Sequence, residues 1–117
     1  MKKSKFDRYN DGVVSLYRMT ETKTDFNARK NPKSVDDMEL IYRNLHFGRL
    51  SKRNQDMELA EQSGFKLTMK IKVPRISGVT AKDMAVIGTM LYSIKYMDED
   101  DNNSYLYLEG VREIDAE

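Results

Sequence analysis

Between Phe65 and Val73 the chain alternates strictly. Phe65, Leu67, Met69, Ile71 and Val73 interleave with Lys66, Thr68, Lys70 and Lys72. A period of two places the two sets on opposite faces of an extended strand, so the segment predicts a strand with one apolar and one cationic face, ended by Pro74. Two further strand-like runs follow, Met90–Met97 and Ser104–Arg112, joined by the acidic turn Asp98–Asn103. They predict an antiparallel hairpin. Met84–Ile87 is a short apolar strand that turns through Gly88-Thr89 into the first arm of that hairpin.

The first half is less regular. Asp11-Gly12 signals a turn. Val13–Thr20 (VVSLYRMT) is β-branched and aromatic, with Val14 and Leu16 on one face and Val13, Tyr17 and Met19 on the other. Met38–Leu50 (MELIYRNLHFGRL) is ambiguous: Leu40, Ile41 and Leu45 suit a helix, whereas Tyr42, Phe47 and Gly48 favour a strand, and the extended reading is preferred. Ser51–Gln62 predicts the one short helix, N-capped by Ser51 and stopped by Gly64. Residues 1–10 form a basic arm whose only anchors are Phe6 and Tyr9, and Ile76–Asp83 is a loop. Residues 21–37 (ETKTDFNARKNPKSVDD) form a long polar loop with almost no apolar content. Such a loop is expected to order only in assembly, because burial cannot offset its ordering entropy.

Composition narrows the class. A chain of 117 residues makes one domain, and 33% charged against 39% hydrophobic residues allows one modest core. There is no cysteine, hence no disulfide or thiolate metal site. No apolar run approaches the roughly 20 residues of a membrane span. The basic N-terminus has no apolar stretch behind it and does not read as a signal peptide. Charge is uneven: residues 1–60 carry 13 Lys and Arg against 9 Asp and Glu, a balance of +4, and residues 61–117 carry 7 against 10, a balance of −3. That distribution fits either ordinary solvated surface or a basic edge facing polyanion with an acidic edge facing a protein.

Candidate chemistry is sparse. The single histidine, His46, lies between Leu45 and Phe47 and reads as structural or surface-exposed rather than catalytic. The acidic run Asp98–Asp101 lacks the spacing and central glycine of a calcium loop. The six glycines are scattered and build no phosphate loop. No nucleophile–base pair is suggested, so the chain reads as a non-enzyme without cofactor or metal. Tyr92 and Tyr96 share a strand face with Ile94, and Tyr105 shares one with Tyr107. These tyrosines are read as packing residues, with base stacking beside the Lys66/Lys70/Lys72 face as the alternative.

Four segments taken in order resemble a known family. They are Asp11-Gly12-Val13-Val14-Ser15-Leu16-Tyr17-Arg18; Lys52–Gln62 followed by Phe65–Val73; Ala85-Val86-Ile87 with Leu91-Tyr92-Ser93-Ile94; and Tyr105–Arg112. Their order and spacing, over roughly residues 8–114, resemble the head-closure, or head–tail adaptor, proteins of long-tailed bacteriophages and prophages of Gram-positive hosts. The resemblance implies a small antiparallel β-barrel that forms a ring, typically twelvefold, below the portal and its connector. Such a ring retains packaged DNA in its channel and offers the tail a docking surface in the virion neck, without a membrane. Its partners would be further copies of the chain, the portal–connector ring, tail-terminator or other tail proteins, and DNA. Within that frame Lys23, Arg29, Lys30 and Lys33 of the long loop are candidates for the DNA channel or for contact with a neighbouring ring. Alternatives are a tail terminator or another neck ring, and, in a different class, a single-domain nucleic-acid-binding barrel using Tyr105, Tyr107 and the lysine face.

The expected fold is thus mainly β: a small antiparallel β-barrel, one domain over 1–117, with long loops, one short helix near 52–62, and Leu67, Met69, Ile71, Ile94 and Leu108 in the core.

Overall fold

A computed structural model describes residues 9–19, 35 and 38–114. In chain order its elements are β1 (Gly12–Met19), β2 (Met38–Leu50), α1 (Asn54–Ser63), β3 (Met69–Pro74), β4 (Met84–Ile87), β5 (Met90–Glu99) and β6 (Asn103–Glu113). All neighbouring strands are antiparallel. They close into a barrel in the order β1-β2-β3-β6-β5-β4, with β4 returning to β1.

The period-two segments supply the interior. Val14 and Leu16 of β1, Ile71 and Val73 of β3, Tyr92 and Ile94 of β5, and Leu106 and Leu108 of β6 meet with Phe47 and Ala85 in one buried cluster. Each large apolar side chain so buried contributes about 1.5–3 kcal/mol relative to exposure. A second cluster lies outside the ring, where Met38, Met84, Val86, Leu91 and Ile114 pack with Tyr17, Met19 and Val35.

The ambiguity of residues 38–50 has a structural cause. They form one 13-residue strand, but its pairing with β1 shifts register twice, between Val14 and Leu16 and between Leu16 and Tyr17. The extra residues fall in β2, around Ile41 and around Arg43-Asn44. Asn44 adopts φ 53°, and its amide donates to Ser15 Oγ at 3.0 Å. Each bulge reverses the faces of the strand, so the apolar positions lose their period of two and imitate helical spacing. Beyond its first ten residues β2 meets β3, at Gly48–Leu50. At the start of β1, Gly12 has φ 140°, and a Cβ there would stand 3.2 Å from the Phe47 ring, so this position requires glycine.

Three expectations are corrected in detail. The strand expected over 65–74 begins at Met69; residues 65–68 instead lead out of the helix. As a result Leu67 is buried, but beneath α1 with Ala60 and Tyr107 rather than inside the barrel, and Met69 is only half-buried, at the barrel's margin. Ile71, Ile94 and Leu108 are fully buried as expected. Tyr96 does not share a face with Tyr92 and Ile94. A bulge at Lys95 lets Tyr96 pair with Tyr107 on the outer surface. The helix begins at Asn54 and is not capped by Ser51. Its C-terminal stop is as expected: Gly64 takes φ 79°, and the Phe65 amide donates to the Ala60 carbonyl at 3.0 Å.

Candidate functional site

The outer face of β3 and β6 carries the residues that drew attention in the sequence. The register places Lys70 beside Tyr107 and Lys72 beside Tyr105. Both pairs point away from the barrel interior, because Ile71, Val73, Leu106 and Leu108 occupy the inside. The even-numbered lysines nevertheless do not form an open cationic face. Lys66 is exposed and Lys72 half-buried, whereas Lys70 is 6% exposed. The cause is α1, which lies across this face.

The contact is organised by Asp56, 2% exposed on the inner side of the helix's first turn. Its Oδ2 accepts from the Arg53 amide at 2.9 Å, the Lys70 ammonium at 3.1 Å and the Arg53 guanidinium at 3.4 Å. Its Oδ1 accepts from the Tyr107 hydroxyl at 3.2 Å. Asp56 thereby both caps the helix, through the Arg53 amide, and ties it to two strands. The Lys70 ammonium stands 5.0 Å from the Tyr107 ring centroid, and Tyr96 meets the same ring edge-on at 5.0 Å. Around this network runs an open groove of about 380 Å³ lined by Leu50, Ser51, Arg53, Lys70, Asp98, Tyr105 and Tyr107.

Electrostatics give the cluster a structural character. Burial alone would raise the Asp56 carboxyl, but the Arg53 amide, Lys70 and the Arg53 guanidinium outweigh it and hold it at about 2. Burial, then the Asp56 charge, pushes the Tyr107 hydroxyl up to about 12. At neutral pH the carboxylate is a poor base and the phenol a poor acid. The pair is therefore mismatched to proton transfer and suited to holding α1 in place.

The remaining sequence candidates are dispersed. Lys23, Arg29, Lys30 and Lys33 lie outside the described residues, as does the loop 21–37 apart from Val35. His46 is exposed on β2. The acidic turn is closed by its own bonds: Asp100 accepts from the amides of Asn102 and Asn103 and from the Tyr105 hydroxyl at 2.6 Å. That hydroxyl, followed by the two amides, lowers the Asp100 carboxyl. Tyr9 donates its hydroxyl to Asn103, and its ring centroid lies 5.8 Å from the Lys72 ammonium, at the end of the same outer face. Among the described residues no group of three or more His, Asp or Glu is placed to hold a metal ion, and no helix is long and apolar enough to cross a membrane.

The sequence reading missed Asp56 and Arg53. Its only legible signal was an acidic residue in the first turn of the helix. Nothing local links that residue to Lys70, fourteen positions on, or to Tyr107, fifty-one positions on. Comparison with protein-family models and with curated proteins finds no match for this chain.

Proposed function

We propose that this chain is a structural neck protein of a tailed bacteriophage. It assembles as a homo-oligomeric ring below the portal and connector, closes the DNA-filled head and presents the surface on which the tail docks. The observation that carries the reading is where the four resembling segments fall. Asp11–Arg18 runs into and along β1; 52–62 with 65–73 make α1 and most of β3; 85–87 and 91–94 lie in β4 and β5; 105–112 lies in β6. The resemblance therefore sits on the frame of the barrel, in chain order, rather than on its loops. A closed barrel consumes strand edges, so neighbours in a ring meet chiefly through side chains and loops.

In this reading the protein is assembled in the host cytoplasm and works in the virion. Lys23, Arg29, Lys30 and Lys33 face the DNA channel or an adjacent ring, where cations near polyanion gain by counterion release. A tail terminator or another neck ring remains the alternative within the same machinery. The separate reading of a nucleic-acid-binding barrel needs Tyr107 and Lys70 to meet bases and phosphates, and both are buried while α1 is seated on the β3–β6 face.

Electron microscopy of lysates lacking the protein tests the proposal. DNA-filled heads that leak or remain tailless, beside free tails, are expected; intact tailed particles would end it. Salt-dependent binding of single-stranded DNA by the isolated monomer would favour the nucleic-acid-binding barrel.

A further inference from the structure

We infer that α1 is a lid, latched by Asp56, that lifts from the β3–β6 face while the barrel stays folded. The inference is independent of the neck reading. It starts from how little apolar surface docks the helix. Of its ten residues only Asp56 and Ala60 are buried and Leu59 is half-buried; the other seven, including Met57, are exposed. The apolar contact is the small cluster Ala60, Leu67 and Tyr107, with Leu59, Phe65 and Tyr105 at its edge. The polar contacts that tie α1 itself to β3 and β6 converge on one carboxylate, and ahead of the helix the Lys52 ammonium reaches the Leu67 and Thr68 carbonyls at 3.5 Å.

That kind of latch opens at low cost. When the helix lifts, Asp56 and Lys70 both regain water, and the desolvation that opposed their pairing is relieved. A helix of ten residues does not persist alone in water, so the lifted segment melts rather than swinging as a rod. Opening takes nothing from the barrel interior, which contains no residue of the segment from Ser51 to Leu67. The groups facing Asp56 are Arg53 at the N-cap of its helix, Lys70 from β3 and Tyr107 from β6, with Asp98 of β5 lining the adjoining groove. Lifting uncovers Lys70 and Tyr107 beside the already exposed Tyr96, a cationic and aromatic surface hidden in the closed form.

Native-state amide exchange on the full chain, followed in low denaturant, decides the matter. The amides of Met57–Ser63 should exchange at least about a hundredfold faster, relative to their intrinsic rates, than those of Ile71, Ile94 and Leu106, and with weak denaturant dependence. Asp56→Asn keeps the shape but removes the charge. It should accelerate exchange in α1 by about tenfold or more, the size expected when a buried charged hydrogen bond is lost, and change the strand amides by less than about threefold. Equal protection of helix and strands in the unmodified chain would overturn the lid. So would a uniform acceleration in Asp56→Asn, or its outright failure to fold, because either makes α1 an integral part of the barrel.

Discussion

Lys70 and Ile71 are consecutive in β3, and both are buried, one on each face of the sheet. Ile71 points into a cluster of hydrophobic side chains drawn from β1–β6, where packing needs no defined angle. Lys70 points outward and is buried only because a helix lies over it and offers one carboxylate at 3.1 Å. The inner face is held by area, which is non-directional and tolerant. The outer face is held by geometry, which fails as a unit when one group is lost. The two faces are therefore expected to differ in how much they stabilise and in how locally they fail.

The largest effect should come from the inner face. Ile71→Ala or Leu108→Ala removes a fully buried side chain from the barrel, at an expected cost of about 2–5 kcal/mol in chemical denaturation. A loss below about 1 kcal/mol would mean that the barrel interior is not the main source of stability. Gly12→Ala follows, because φ 140° and the Phe47 ring 3.2 Å away penalise any Cβ. A cost of about 1–3 kcal/mol is expected for that strain, and a neutral result would show that the β1 entry can relax.

Next comes the outer face, where Lys70→Met sharpens the comparison. Breaking a buried pair in a rigid site costs about 3–5 kcal/mol. Here the loss should be smaller, below about 2 kcal/mol globally, because α1 can lift and return Asp56 to water; the lost helix should still register by circular dichroism. A full 3–5 kcal/mol loss with cooperative unfolding would erase the distinction between the faces. Acid probes the same latch. The folded Asp56 carboxyl, at about 2, lies below its ordinary 3.8. Its contribution is thus fully present above about pH 4 and disappears as pH falls toward 2. Loss of helical signal ahead of strand signal between pH 4 and 2 is expected; simultaneous loss would count against a separate latch.

The smallest effect is expected from Arg75→Ala. The Arg75–Glu99 ion pair, 3.2 Å long, joins two side chains that are each about half exposed. Its removal should change stability by less than about 1 kcal/mol. A larger loss in thermal melts would place the acidic turn among the structural elements.

Much of the fold was legible along the chain. Alternation in 65–73 and in the last hairpin named the inner faces of β3 and β6, and in β1 it paired Val14 with Leu16 on one face, which the structure turns inward. A single period holds wherever a strand is regular and one of its faces meets the core. Legibility failed at the bulges. One at Lys95 moved Tyr96 to the outer surface, and two in β2 blurred its pattern into helical spacing. It failed again at 65–68, where the chain was still leaving α1, so Leu67 was buried in a different place from the one its alternation implied.

What the sequence by itself determined is most of the inner barrel: which segments are strands, which residues face inward where those strands run without a bulge, and that Gly64 ends the one helix. These are local properties, set by side-chain period and backbone freedom within a few residues. What only the tertiary structure decided is the outer face. Whether Lys70 lies in water or under a helix depends on Asp56, Arg53 and Tyr107, which come from separate elements and meet only once the ring has closed. A charge in a strand looks the same in sequence whether it is solvated or latched, because its burial is a property of what folds over it.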